Sequence, residues 1–390
     1  MGTSFLLLLF SVVFAVCISM TNAARWTMDP SEMLEENRHV CQNYFCHNTS
    51  IYYDFYICKR SNKSLTDISI TKTTTEYLPR DLFKGLEHLT KLSLEKVGLE
   101  ELEEDIFEDL SNLSKLVLKA NELTALPNTI FHQLNNLEIL DISSNELESF
   151  ESNTFEGLFN LKKLDLSYNK LKSLKGSLFR ELHSLTRLSL SSNKLTKLEA
   201  GAFNGLLQLE SLDINYNNLN TLPIGIFSEL ISLKDLQLAS NKLTGPLEFG
   251  VFDGLPSLTR LNLGENKLTL VPEAFSSYLD TLMSLNLELN HIEVLGANDF
   301  DGLTNLKSLN LNNNSIKHIP DDIFSQNKNL EFLQLDYNGI ENIESNVFQG
   351  LSKLEMISMR DIKLRCFVQK CFNGLGSVKM FLSTYRNEDF

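Results

Sequence analysis

The sequence predicts an α/β solenoid, with a parallel β-sheet lining a concave side and irregular or short-helical segments on the convex side. Three columns of residues sharing one period predict it. Asparagine recurs every 24 residues at Asn121, Asn145, Asn169, Asn193, Asn217 and Asn241, and after one step of 25 at Asn266, Asn290, Asn314 and Asn338. Phenylalanine keeps the same phase from Phe83 and Phe107 through Phe348 to Phe372. Proline stands six residues after the asparagine position at Pro79, Pro127, Pro223, Pro272 and Pro320.

The ends are read first. Residues 5–18, FLLLLFSVVFAVCI, form an apolar run followed by the small-residue exit Thr21-Asn22-Ala23-Ala24. Residues 1–23 are therefore expected to be a secretory signal. The run is shorter than the ~20 residues a bilayer span needs. No later segment reads as a membrane span, and the polar end STYRNEDF lacks the apolar tail of a GPI signal. Residues 24–62 read as an N-terminal cap, because CQNYFCHNTSIYYDFYIC (41–58) combines many aromatics with Cys41, Cys46 and Cys58.

Residues 63–364 form the array, about 13 repeats counting degenerate registers at Thr73, Val97 and Ile362. Each unit follows L-x-x-L-x-L-x-x-N-x-L, as in LEILDISSNEL (137–147). In x-L-x-L-x the leucines alternate inward while the x residues face out. One repeat cannot bury its apolar edge alone, so neighbours stack on a shared core. After the strand the chain turns inside the coil, leaving backbone groups without ladder partners. An asparagine amide, with two donors and an acceptor, can satisfy them across adjacent repeats. The asparagines are thus expected to be a buried structural ladder. The phenylalanines fill the convex side, each removing roughly 150–250 Å² from water. That is worth about 4–6 kcal/mol gross at ~25 cal/mol/Å². The prolines preset φ where the chain enters that side.

The register slips once. Asn241 to Phe252 is one residue too long, and Asn266 to Phe275 one too short. The slip is either a tolerated loop change or a local kink. Residues 365–390 read as a degenerate C-terminal cap that begins another repeat with Phe372, Leu375 and Val378 and then stops. Loss of Cys17 with the signal leaves five cysteines. About twelve strand steps of ~4.8 Å separate the ends by roughly 58 Å, beyond a disulfide's reach. Cys366 and Cys371 can pair locally, and Cys58 can pair with Cys41 or Cys46. The remaining thiol is either buried in the cap or available for a disulfide-linked dimer or hetero-complex.

Composition narrows the function. The chain is 22% charged and 43% hydrophobic, a globular balance. Its net charge of −15 argues against nucleic acid, which needs a surplus of Lys and Arg. The seven histidines are scattered over caps and different repeat phases, and no G-x-S-x-G, phosphate loop or H-E-x-x-H occurs. No enzyme activity, cofactor or metal is expected.

The unit LxxLxLxxNxL…PxxxFxxLxxL resembles the typical 24-residue class of extracellular leucine-rich-repeat proteins, shared by Toll-like receptor ectodomains, Slit-type proteins and the acid-labile subunit. The resemblance implies a horseshoe. The early layout TDISITKTTTEYLPRDLFKGLEHLTKLSL after a Cys-bearing cap looks like the secreted leucine-rich immune proteins of insects. The family's Cys-rich C-terminal cap, a coiled coil and a signalling domain are all absent, so a receptor that signals by itself is not expected.

Specificity then falls to the outward strand positions, which are mostly short and polar. Two spots differ: Val117 with Ile139, and Phe332 with Met356, flanked by Asp336 and Tyr337. Apolar side chains on a polar sheet mark candidate ligand-binding residues. The second spot could equally shield the end of the array. A strand of about five residues across that sheet presents roughly 900 Å², close to the ~800 Å² per partner of a standard interface. The expected partner is an extracellular protein, captured in innate immunity or, alternatively, in matrix or adhesion. An acidic block, from Glu100 to Asp109, and a basic one, from Lys162 to Lys175, are read mainly as solvated faces. Sequons at Asn48, Asn62, Asn112 and Asn313 are glycosylation candidates in a secreted chain.

Overall fold

In the computed structural model, residues 66–71, 75–245, 247–272, 275, 279–344, 346–363, 375 and 378–382 are described in full. Strands at 14–16, 45–46, 55–59 and 383–384 are described by backbone alone. The chain divides into two compact units, Met1–Glu146 with Asn153–Leu158, and Leu147–Ser152 with Phe159–Phe390.

The first unit holds two sheets. Strands β1 (Phe14–Val16), β2 (Phe45–Cys46) and β3 (Phe55–Lys59) form one, with β1 parallel to β3 and β2 antiparallel to it. That antiparallel register sets Cys46 across from Cys58. Cys41, Cys366 and Cys371, and the sequons at Asn48 and Asn62, lie outside the described residues. The second sheet runs in chain order through β4 (Asp67–Thr71), β5 (Lys91–Glu95), β6 (Lys115–Val117) and β7 (Ile139–Asp141), all parallel.

The second unit repeats that plan at greater length. Strands β8 (Lys163–Asp165), β9 (Arg187–Ser189), β10 (Ser211–Asp213), β11 (Asp235–Gln237), β12 (Arg260–Asn262), β13 (Ser284–Asn286) and β14 (Ser308–Asn310) pair in parallel order. After β15 (His318–Ile319), the sheet continues with β16 (Phe332–Gln334); after β17 (Asn342–Ile343), it continues with β18 (Met356–Ile362) and β19 (Lys379–Thr384). Strands β15 and β17 pair separately with each other. Equivalent leucines stand opposite one another, as Leu212 does with Leu188 and Leu236.

Among the described residues the back of the repeats contains no α-helix; it is built from hydrogen-bonded turns. The irregular alternative therefore holds there. Phenylalanine accounts for it: each ring from Phe83 to Phe348 in the period is at most 1% exposed. Six neighbouring pairs of rings lie 5.7–6.2 Å apart, among them Phe131–Phe155 and Phe203–Phe227. Close turns let the rings stack, and some of those turns require glycine. At Gly205, with φ of 87°, a Cβ would come within 2.4 Å of the Arg180 carbonyl oxygen.

All ten ladder asparagines are buried, 4–8% exposed. Each Oδ1 accepts the N–H of a residue in the preceding repeat at 3.0–3.2 Å, as Asn193 does from Leu171 and Asn217 from Leu195. The Nδ2 donates back to that repeat and to its own strand. Asn193, for example, reaches the Leu166 carbonyl at 3.0 Å and the Leu190 carbonyl at 3.1 Å. At the degenerate register Asn121 alone takes three N–H groups, from Val97, Gly98 and Leu99. A buried asparagine off the ladder, Asn327, occupies the place of Leu303 and Leu351 in neighbouring repeats and donates to the Phe300 and Leu303 carbonyls.

The register slip leaves the sheet intact: Asp235 still pairs with Arg260, and Arg260 with Ser284. The extra residue sits between β11 and β12, where Thr244 bridges Lys267. Its trace is a 32° tilt between Phe252 and Phe275. The slip is a loop change absorbed behind the strands. Removing a rung should be felt far more: Asn193→Ala or Asn217→Ala is expected to destabilise by about 1–3 kcal/mol, the cost of leaving buried backbone groups unpaired. Urea unfolding monitored by circular dichroism measures it.

Candidate functional site

The solvent face of the sheet is built by alternation. In strand after strand the middle leucine is buried and the residues flanking it are half-buried or exposed, as in Lys163-Leu164-Asp165. On this face the predicted apolar spots fare differently. Val117 is only 8% exposed, so it offers a partner almost nothing. Its register partners are Ser93 and Asp141, whereas Ile139 stands beside Lys115. Val117 and Ile139 are thus diagonal, not paired, and Ile139 is half-buried.

Phe332 and Met356 are brought together. They are register partners on β16 and β18, both half-buried on the solvent face. Tyr337 is 49% exposed, but it lies at the far end of the same segment, five residues on, at roughly 3.3 Å per residue. Asp336 is 1% exposed and has no free edge for a ligand. Its Oδ2 accepts Arg360 Nε and Nη2 at 2.9 and 2.7 Å, and its Oδ1 accepts the Ser358 hydroxyl at 2.6 Å and the Arg360 N–H at 2.7 Å. It anchors Arg360, whose side chain remains 54% exposed and available.

One column was missed in the sequence. The residue before each ladder asparagine has φ of 52–58°, from Lys96 and Ala120 to Tyr337 and Asp361. L-residues rarely adopt this left-handed conformation. Tyr168 (64%), Tyr216 (60%) and Leu289 (45%) stand in it, strongly exposed. Asn313, one of the sequon residues, is also in this column, and its Nδ2 lies 3.4 Å from Glu288 Oε1. Asn112 is exposed and donates to the Glu87 carbonyl. The signal for the column was present, since it shares the asparagine period.

Part of each charge block pairs between repeats. Glu103 and Asp105 pair with Arg80, Lys172 with Glu148, and Lys175 with Glu151. Among the described residues no group of three His, Cys, Asp or Glu side chains is placed to hold a metal, and no helix is long and apolar enough to cross a membrane.

These features define a class, a repeat protein with buried amide rungs and a solvent-facing parallel sheet. Leucine rich repeat family segments match in overlapping stretches from 63–123 to 328–382, and the chain belongs to the leucine-rich-repeat family. A leucine-rich-repeat protein of Leptospira interrogans is 30% identical, with TM-score 0.68 over 82% of this chain and 78% of that one. The Drosophila Toll–Spatzle complex matches at 25% identity and TM-score 0.72, covering 79% of this chain and 43% of that one. The TLR13–ssRNA13 complex matches at 30% and 0.63, covering 78% and 48%. The chain thus spans less than half the length of the Toll and TLR13 chains it matches. No curated protein sequence matches it.

Two carboxyls, the buried Asp336 and the half-buried Asp213, respond to pH in opposite senses. Burial works to raise that of Asp336, but the hydrogen bonds from Arg360 and Ser358 outweigh it and hold the group below its ordinary value. Burial raises Asp213 against the bond from the Asn215 N–H, with Asp165 and Asp235 adding to the rise. A depressed carboxyl stabilises the fold above its unfolded pKa of about 3.9 and loses that contribution as pH falls through the folded value. Asp336→Asn should therefore cost about 1–3 kcal/mol at pH 7, a difference that shrinks on acidification. A raised carboxyl does the reverse, so Asp213→Asn should add stability at pH 7 and lose the gain in acid. Unfolding midpoints across a pH series check both signs.

Proposed function

We propose that this chain is a secreted, non-enzymatic recognition module that captures another extracellular protein on the solvent face of its sheet. The observation that carries this is the pairing of Phe332 with Met356 on a face made mostly of short polar side chains, with the guanidinium of Arg360, four residues on from Met356, held by Asp336. Aromatic and Arg groups of this kind dominate interface energies. The Toll–Spatzle likeness supports a protein ligand. The TLR13–ssRNA13 likeness raises RNA instead, but a net charge of −15 opposes a phosphate backbone. An innate-immune role is the reading we favour on the insect-type layout; matrix or adhesion is the alternative.

Immobilised wild-type chain and its Phe332→Ser and Tyr337→Ala variants, exposed to extracellular fluid, test the site by mass spectrometry. The wild type is expected to enrich a discrete protein that Phe332→Ser loses. Tyr337→Ala serves as the variant whose exposed side chain leaves the melting temperature unchanged. Equal capture by all three would place the ligand elsewhere.

Secretion has its own test. Asn112 is exposed, so a chain passing through the secretory route should carry glycan there as well as in the cap. Glycosidase treatment should lower the mass of the secreted protein; an unchanged mass would count against both sequons and compartment. An antiparallel opposition places two Cα atoms about 4.5–5.5 Å apart, within a disulfide's span. The register therefore supports Cys46–Cys58 as the bond of the cap, which non-reducing peptide mapping should recover.

A further inference from the structure

Away from Phe332 and Met356, the solvent face of the second unit is dented. The dent has a volume of about 130 Å³, and its lining includes Asn215, Tyr216, Asn262, Glu265, Asn286 and Glu288. Gly264 makes room for it. A Cβ there would lie 3.0 Å from Asn286 Nδ2 and 3.3 Å from Asn262 Oδ1 and the Glu288 carbonyl oxygen.

The amides are held in a row. Asn286 Nδ2 donates to Asn262 Oδ1 at 3.0 Å, Asn262 Nδ2 to Gln237 Oε1 at 2.9 Å, and Gln237 Nε2 to Asp235 Oδ1 at 2.6 Å. Beyond the dent, Asn310 Nδ2 donates to Glu288 Oε2 at 2.9 Å. Such fixed groups need little further ordering when they bind. Several valences remain open. Asn215 spends its Oδ1 on the Ala239 N–H, leaving its two Nδ2 donors without a partner among the described residues. Glu265 accepts the Ser240 hydroxyl on Oε2 alone. Neither Glu265 nor Glu288 has an ion pair among the described residues, and no Lys or Arg lines the dent.

The lining selects its ligand by elimination. Two carboxylates without a cation repel an anion, and the polar walls give an apolar molecule nothing to bury against. A cationic side chain would satisfy the carboxylates but leave the Asn215 donors unmatched. Hydroxyl groups both donate and accept, so a neutral polyhydroxyl compound matches every open valence, and its C–H face can lie on the Tyr216 ring. We propose that this dent is a subsite for a neutral saccharide. Glu265 and Glu288 accept from its hydroxyls, Asn215 donates, and the amide row from Asn286 to Gln237 extends the contact to an oligosaccharide. The site stands independently of protein capture at Phe332.

Isothermal titration calorimetry of the purified full chain with chitohexaose, laminarihexaose and hexa-arginine tests it. One or both neutral oligosaccharides should bind. Tyr216→Ala and Glu265→Ala, both at exposed positions, should each weaken binding roughly tenfold or more, about 1.4 kcal/mol. Phe332→Ser should leave it unchanged, and Gly264→Leu should abolish it. Because Gly264→Leu can also disturb Asn286, the two exposed variants decide the outcome. Failure of both neutral oligosaccharides to bind overturns the proposal, as does binding indifferent to Tyr216→Ala and Glu265→Ala. Binding of hexa-arginine alone also overturns it and assigns the dent to a basic peptide.

Discussion

A chain that turns back through its own core every 24 residues carries backbone N–H and C=O groups into a place without water. The asparagine rung answers that constraint with one side chain. Its oxygen takes an N–H from the preceding repeat, and its nitrogen reaches a carbonyl there and another in its own strand. Aspartate lacks the donors and leucine lacks both functions, so neither could close the turn. The rung also fixes how far one repeat stands from the next. That spacing is what allows leucines to meet across the strands and phenylalanine rings to stack behind them.

Much of this was legible because it is periodic. Rungs, rings and the alternation of the strands each depend on contacts one repeat away, and one repeat away is always the same distance in sequence. The convex side was less legible. Turns and short helices bury similar apolar patterns, and only the backbone distinguishes them. The candidate site was read in part. Phe332 and Met356 share a strand position and therefore a register, which the sequence shows directly. Asp336 looked like a surface acid because nothing local reveals that Arg360, 24 residues on, closes over it. Val117 sits on the outward side of its strand, yet neighbours cover it. Cover of that kind depends on side-chain direction, which periodicity does not carry.

The charges show a related limit. A run such as Lys172 and Lys175 is plain in the sequence, but its partners Glu148 and Glu151 lie one repeat earlier. Pairing across repeats turns apparent clusters of one sign into alternating rows. Exposed pairs of this type contribute little each, about 0–1 kcal/mol. They leave the amide row and the apolar pair as the less ordinary parts of the solvent face.

The left-handed residue ahead of each rung separates two kinds of information. Its backbone is fixed by the turn, while its side chain is half-buried or exposed, outside the buried core. Lysine, serine, alanine, tyrosine, leucine and glutamate all occupy it within this chain. The array therefore holds a set of addressable positions, one per repeat, whose chemistry can be rewritten without editing the core. A combinatorial library confined to Tyr168, Ser192, Tyr216, Ser240, Glu265 and Leu289 would explore new ligands on an unchanged scaffold.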